Sequence, residues 1–400
     1  MAETTVTVLV INCGSSSIKF AVIEVVGGEC LVSGIAERLG DAGAELHLSV
    51  ADKKESQPIP GERHEGAMKH LLESIQRLLP EEKMPRLVGH RVVHGAERFS
   101  EPVLVDEAVL AEIRACSDLA PLHNPANLLG IEVVSALFPD LPQVAVFDTA
   151  FHQTMPPEAY LYAIPYELYE ELNIRRYGFH GTSHGYVANE AARFLGKKVD
   201  EVSLITLHLG NGCSSCAIRG GESVDTSMGL SPLEGMVMGT RSGDVDPDLG
   251  RFLAERRGMT ASEVSEMLNR RSGLLGVSGI SHDMRTLEQA MADGKERAAL
   301  AIQVFVYRAA KSVLQMAAGL ERLDGVVFTG GIGENAAGIR AAMLGRLKLL
   351  GLEVDDERNE NLKRGTTGVI SSGDSRVPVL VVPTNEELMI ARESLRVVSI

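Results

Sequence analysis

The sequence predicts an α/β fold built as two related halves. Three observations predict it. Short aliphatic and β-branched runs alternate with segments of helical spacing along the whole chain. The segment Val10-Ile11-Asn12-Cys13-Gly14-Ser15-Ser16-Ser17-Ile18 is echoed by Leu209-Gly210-Asn211-Gly212-Cys213-Ser214-Ser215-Cys216-Ala217, half a chain later. Each copy reads as strand, small-residue turn, strand, which suggests a duplicated unit. Hydrophobic residues make up 44% of the 400 while aromatics make up 4%, so the cores must rest on Val, Ile, Leu and Ala.

The elements follow in order. Residues 5–11 and 18–26 form a hairpin around the Ser/Gly turn, and strands follow at 30–37 and 45–50. Residues 52–63 are polar with two prolines and read as a surface loop. Residues 65–79 carry Met68, Leu71, Leu72, Ile75 and Leu78 at helical spacing and stop at Pro80. A strand at 86–93, a helical region at 106–137 broken near Pro121 and Pro125, and a strand at 143–147 complete the first half. The prolines of 155–165 mark a crossover. The second half opens with a strand at 203–209. Helices follow within 246–271 and at 294–320, then a strand at 325–328, a helix at 335–350, a strand at 377–382 and a helix at 385–395.

Charge and cysteine content exclude several function classes. With 39 basic and 54 acidic residues the chain carries −15 at pH 7, which repels nucleic acid and anionic membrane. The apolar run near the N-terminus is short and lacks a basic flank, so it reads as a strand and not a signal peptide. No run approaches a membrane span. Five scattered cysteines predict reduced thiols and a cytoplasmic address. Cys213-Ser214-Ser215-Cys216 has no second C-x-x-C, and on a strand its sulfurs face opposite sides.

Several constellations can carry chemistry. Asn12 to Lys19 offers backbone donors, hydroxyls and a cation to an oxyanion, without Walker spacing. In Gly89-His90-Arg91-Val92-Val93, Arg91 and Val93 share a strand face, pairing an anion clamp with an apolar wall. Asp148 ends an apolar strand, where it can bind metal, act as a base or cap a helix. His180 and His184 lack the H-E-x-x-H pattern, which leaves His180 as a loop histidine at a site edge. Arg241 lies among glycines that let it reach a ligand, while Asp246-Pro247 reads as a helix start. Val326 to Ala336 is a strand–glycine–helix unit suited to a nucleotide. It contains G-x-G-x-x-A with Glu353 and Asp355 about 20 residues on, so a dinucleotide enzyme is an alternative.

Together these segments resemble the acetokinase family. The resemblance runs from Val10 to about Glu393 through NCGSSSIKF, GHRVVHG, LAPLHNPANLLGI, VAVFDTAFHQTMP, YGFHGTSH, TLHLGNG, DTSMGLSPLEGMVMGTRSGDVDPD, FTGGIGENA and PTNEELMIARE, all in family order. It implies two duplicated actin-like/ribonuclease H-like domains, 1–150 plus 383–400 and 151–382, with a nucleotide cleft between them. It implies reversible phosphoryl transfer from ATP to acetate, giving acetyl phosphate and ADP, with Mg²⁺ or Mn²⁺ and a homodimeric enzyme. Asn12 and Glu386 match the metal residues. Arg91, Asp148, His180 and Arg241 match the catalytic ones. Arg91, Val93, Leu122, Phe179 and Pro232 match the acetate site, and His123 a site-adjacent histidine. Lys19, the run His208, Leu209, Gly210, Asn211 and Gly212, then Asp283, Met284 and Arg285, and finally Gly331, Ile332, Gly333, Glu334 and Asn335 match nucleotide contacts. Leu230-Ser231 stands where an aromatic residue and Thr usually precede the proline, beside the acyl site. Propionate kinase of the same family and a non-catalytic actin- or Hsp70-like ATP-binding protein are the alternatives.

Overall fold

A computed structural model describes residues 6–51, 53–121 and 123–398. The chain divides into two units, Met1–Phe151 with Asn385–Ile400, and His152–Thr384.

The first unit is built on a sheet of β1 (Thr7–Cys13), β2 (Ser17–Glu24), β3 (Cys30–Glu37), β4 (Glu45–Val50), β5 (Lys53–Pro58), β6 (Leu87–Val92), β7 (Val103–Leu104) and β8 (Gln143–Phe147). Their order is β5-β4-β3-β2-β1-β6-β8-β7. The strands from β1 to β5 form an antiparallel meander. On the other side of β1, β6 and β8 run parallel to it. β1 is central and almost wholly buried, as parallel strands covered on both faces are.

The expected loop at 52–63 is overturned in part, because β5 forms over Lys53–Pro58. Every residue of β5 is exposed, and its Lys53, Lys54 and Pro58 are the residue types that guard a sheet edge against further pairing. That polarity is what hid the strand. Thr5 and Asp52, at the ends of two expected segments, lie outside the described residues.

Helices cover the sheet. His64–Leu78 buries Met68, Leu71, Leu72 and Ile75 against Leu9, Phe20, Leu46 and Leu48. The region from Asp106 is interrupted as its prolines predict. Glu107–Ala115 is capped by Asp106, which accepts from the Val109 N–H at 2.8 Å, and a fresh helix runs Asn124–Leu137. That second helix lies on β1 and β6. It must carry glycine at 130, because a Cβ there would sit 2.7 Å from Cys13 Cβ. The returning helix Glu386–Val398 packs on β1, β6 and β8.

The second unit repeats the plan. Its strands are β9 (Ser203–Leu209), β10 (Cys213–Arg219), β11 (Glu222–Thr226), β12 (Gly325–Thr329), β13 (Gly368–Val369) and β14 (Val379–Val381), ordered β11-β10-β9-β12-β14-β13. β9, β10 and β11 form an antiparallel meander, and β12 and β14 run parallel to β9. The order β11-β10-β9-β12-β14 is that of β3-β2-β1-β6-β8. The two echoed segments fall on the β1–β2 and β9–β10 turns, so the α/β duplication read from them is borne out. Cys213 and Cys216 are both buried on β10, and their sulfurs contact different partners, the Gly210 carbonyl and the Ser223 hydroxyl.

Two helix boundaries differ from expectation. The helix after Asp246 starts at Leu249, and Asp246 instead accepts from the Asp248 N–H at 2.8 Å in the turn before it. The expected helix at 335–350 runs only Ala337–Leu344, and a separate short helix, Gly330–Asn335, precedes it with a break at Ala336. Arg340 explains the break: its Nη1 donates to the Gly333 and Glu334 carbonyls at 3.0 Å each, which a continuous helix would have used itself. Asp355, one of the acids suited to a dinucleotide ribose, caps the helix Asp356–Asn361 through the Arg358 N–H.

His90 and His152 are among the buried histidines held neutral. Burial pulls His90 down to about 4, against the opposing hydrogen bond to Gln143. Burial likewise pulls His152 down to about 4, against its bond to the Phe179 carbonyl. Between the unfolded value near 6.5 and the folded value near 4, only the unfolded chain takes up these protons. Stability is therefore complete above pH 6.5 and falls as pH drops. Each histidine should cost about 2 kcal/mol at pH 5 relative to pH 7. Urea unfolding at the two pH values checks this, and equal midpoints would exclude it.

Candidate active site

In the first unit the site is set by the C-terminal ends of parallel strands, where α/β sheets place their ligands. Asn12 is the penultimate residue of β1 and Arg91 that of β6, one step beyond the aligned pair Ile11 and His90. Asp148 follows β8 directly, and its N–H donates to the Val92 carbonyl at 3.0 Å. Arg91 Nε donates to Oδ1 and Oδ2 of Asp148 at 3.0 and 3.1 Å, and Nη2 to Oδ2 at 2.6 Å. The carboxylate is 1% exposed and the guanidinium side chain 22%, so the pair is closed inward and open on the Arg91 side. Burial acts to strip charge from both partners. For Arg91 it is outweighed by Asp148 and then Glu386, and the guanidinium stays firmly charged. For Asp148 burial prevails and raises its pKa against the pull of Arg91, with Glu386 adding to the rise. His123 also acts on Asp148, as a minor positive influence.

Lys19 lies opposite Asn12 on β2 and pairs with Glu387 at 2.5 Å. Burial tends to raise the Glu387 carboxyl, but Lys19 overrides it and lowers it. Asn12 and Glu386 offer the oxygen donors that Mg²⁺ prefers. Among the described residues no cluster of three His, Cys, Asp or Glu could hold a metal unaided. An ion bound by these two side-chain oxygens would need substrate oxygens and water to complete its coordination.

Val93 is buried, and two asparagines fix its backbone and that of His94. Asn127 Oδ1 accepts from the Val93 N–H at 3.0 Å while its Nδ2 donates to the Cys13 carbonyl at 2.7 Å. Asn124 Oδ1 accepts from the His94 N–H at 3.1 Å and its Nδ2 donates to the His94 carbonyl at 2.8 Å. Sequence reasoning missed Asn124, Asn127 and Glu387. The signal for the asparagines was present, as two amides three apart on one inward helix face. Leu122 lies outside the described residues.

In the second unit, His180 precedes the helix Gly181–Phe194 in a left-handed conformation, φ 58°. Its ring stacks on His208 with centroids 4.2 Å apart, and its Nδ1 lies 2.8 Å from Ser214 Oγ. Ser214 also meets His184 Nε2 at 2.8 Å. His184 is fully buried and held well below the usual range, by burial first and then by His152 and His208. On the far side of His208, Nδ1 contacts Ser183 Oγ at 2.9 Å, and Ser183 contacts Thr384 at 2.8 Å. Gly212, in the echoed turn, brings His180 and Arg241 together. A Cβ there would lie 3.3 Å from His180 Nε2 and 3.4 Å from Arg241 Nη1. Arg241 Nη1 donates to the Pro232 carbonyl at 3.2 Å, and among the described residues no carboxylate pairs with it. Burial lowers its pKa, weakly opposed by Cys213, so an arriving anion would relieve it. Phe179 is buried and its carbonyl meets His152.

A cavity of about 400 Å³ in this unit is lined by Gly210, Asn211, Asp283, Met284, Arg285, Gly331, Ile332 and Asn335 among the sequence-selected residues. His282, Glu288, Ala336 and Arg364 complete its wall, and sequence reasoning did not assign them. Burial raises the Glu288 pKa. Asp283 is held down at about 2 by Arg285, whose Nη2 lies 2.6 Å away. His208, Leu209, Gly212, Gly333 and Glu334 do not line this cavity. Glu334 Oε1 instead accepts from the N–H groups of Gly330 and Thr384 at 3.0 and 3.2 Å, tying the glycine turn to the chain's return.

The acetokinase family model matches residues 7–392. The chain belongs to that family. It is 55% identical to the acetate kinase of Deinococcus deserti over 392 residues, 98% of each chain. Among solved structures it resembles Porphyromonas gingivalis acetate kinase, with a TM-score of 0.93, 44% identity and coverage of 98% and 100% of the two chains. It also resembles a propionate kinase from Francisella tularensis, with a TM-score of 0.92, 45% identity and 97% and 98% coverage. A full-length acetokinase match leaves the dinucleotide and non-catalytic alternatives without support.

In this acetokinase the two arginines differ in what they hold. Arg91→Ala strands Asp148 in the interior, and urea unfolding should show a loss of about 3–5 kcal/mol. Arg241→Ala orphans no acid and should lose less than about 1 kcal/mol. Equal losses would contradict the assignment.

Proposed function

We propose that the chain catalyses reversible phosphoryl transfer from ATP to acetate, giving acetyl phosphate and ADP by direct in-line transfer. The observation that carries this is 55% identity to a curated acetate kinase over 98% of both chains. Acetate is ionised at neutral pH, so attack on the γ-phosphorus needs no proton removed. Asp148 then acts by holding Arg91, not by taking a proton. The edge of Arg91 that Asp148 does not engage receives the acetate carboxylate. Arg241 and His180 neutralise charge on the transferring phosphoryl group, and Lys19 steadies the phosphates. The cavity at Asn211, Asp283 and Gly331 takes the nucleotide. Asn12 and Glu386 would hold Mg²⁺, or Mn²⁺ in its place, which would neutralise phosphate charge when bound.

The same reading assigns Val93, Leu122, Phe179 and Pro232 to the acyl chain, and treats the units as domains 1–150 plus 383–400 and 151–382. A homodimer working in the cytoplasm, with neither nucleic acid nor membrane as partner, completes it. The net charge of −15 supports the exclusion of nucleic acid. Among the described residues no helix is long and apolar enough to cross a membrane.

Propionate is the second substrate reading. Leu230-Ser231 before Pro232 and the likeness to a propionate kinase structure favour considering it. Acetate, Mg-ATP and hydroxylamine should yield acetohydroxamate, and kcat/KM should be higher for acetate than for propionate. A strong preference for propionate would reverse the substrate assignment. Arg241→Ala should lower kcat by about 10²–10³, and near-normal turnover would remove it from the mechanism.

A further inference from the structure

A half-buried polar cluster in the second unit has no part in the chemistry above. Tyr162 donates its hydroxyl to Glu234 Oε2 in a short hydrogen bond. Arg176 Nη2 donates to the other oxygen, Oε1, at 2.6 Å. The side chains of Arg176 and Glu234 are 19% and 31% exposed. Burial raises the Tyr162 pKa, and the Glu234 charge adds to it, so the phenol remains a donor. Burial opposes the Arg176 charge, but Glu234 outweighs it.

This cluster grips one loop at several points. Tyr162 Oη accepts from the Leu230 N–H at 2.8 Å. Arg176 Nη1 donates to the Ser227 and Met228 carbonyls at 3.1 and 3.2 Å. The Gly229 carbonyl accepts from the N–H groups of Tyr177 and Gly178, on the segment leading to Phe179 and His180. Position 229 has room for glycine alone, since a Cβ would sit 2.2 Å from Tyr162 Oη and closer still to Glu234. Two residues past this anchor, the Pro232 carbonyl receives Arg241. Asp244 closes the loop's far end, accepting from the Gly235 N–H at 2.7 Å.

We propose that Tyr162 and Glu234 are positioning residues that set acyl-chain preference by fixing Leu230 and Pro232, and through the Pro232 carbonyl the reach of Arg241. A loop held from below by a charged cluster cannot yield outward to admit a longer acyl chain. Three covalent neighbours, Leu230, Ser231 and Pro232, are thereby given one placement. The inference rests on the acyl-kinase reading above and adds the residues that tune its substrate.

The test is kinetic and uses the full chain. Tyr162→Phe keeps the ring and removes the acceptor of the Leu230 N–H. Glu234→Gln keeps the shape and removes the charge. Both should raise KM for acetate and shift the propionate-to-acetate ratio of kcat/KM toward propionate by about tenfold, the scale of one methylene in a fitted pocket. KM for ATP should stay at the parent value. A merely structural role would lower the melting temperature or the folded fraction, and so kcat for both acids alike, with the ratio unmoved. Parent-like acetate KM and an unchanged ratio in folded Tyr162→Phe would overturn the proposal, even if Glu234→Gln does not fold. Absence of hydroxamate from the parent chain with both acids would instead overturn the functional reading itself.

Discussion

A guanidinium gripped along one edge by a buried carboxylate is the constraint from which the first unit's site follows. Arg91 and Asp148 lie 57 residues apart and meet only because β6 and β8 are parallel neighbours whose C-terminal ends are level. Each partner would be costly to bury alone. Together they present a cation of fixed orientation on the side that remains open. The sheet supplies the geometry. Asn127 supports it by bridging Val93 to Cys13, so the ends of β1 and β6 hold a common frame.

The second unit solves the complementary problem. Its equivalent turn carries Gly212 where the first carries a serine-rich bend, and His180 and Arg241 crowd against that glycine. Here the arginine has a carbonyl for a partner and no acid among the described residues. An uncompensated, partly buried cation is a poor structural element and a good receptor for a transferred anion. The histidine beside it is held by a stacked ring and a serine hydroxyl. One duplicated plan thus carries an arginine paired with a buried carboxylate in one copy and, among the described residues, an arginine with no carboxylate partner in the other.

Much of this was legible in the sequence because it is local. Strands Cys30–Glu37, Glu45–Val50, Gln143–Phe147 and Ser203–Leu209 read correctly from β-branched runs bounded by turns. The strand–glycine–helix segment likewise marked part of the cavity wall, at Gly331, Ile332 and Asn335, while Asp283 came only through the family resemblance. Failures came where local pattern and tertiary demand part. β5 is a strand with no apolar face, since an edge asks only for pairing. The helix Gly330–Asn335 does not run on into Ala337–Leu344 because Arg340, itself buried, takes the Gly333 and Glu334 carbonyls. Asp148 stayed ambiguous among cap, ligand and base because its partner is distant in sequence. Glu387, Tyr162 and Glu234 were missed for the same reason. Their roles exist only through contacts that spacing does not encode.

The central claim is that Arg91 and Asp148 form one energetic unit on which the site's geometry depends. A double-mutant cycle of equilibrium unfolding with Arg91→Met, Asp148→Leu and the double variant tests it most directly. The account predicts that the double variant loses less than the sum of the singles by about 1.5 kcal/mol or more, since it leaves no charge stranded. Strictly additive losses would mean that the two side chains do not depend on each other, and would contradict it.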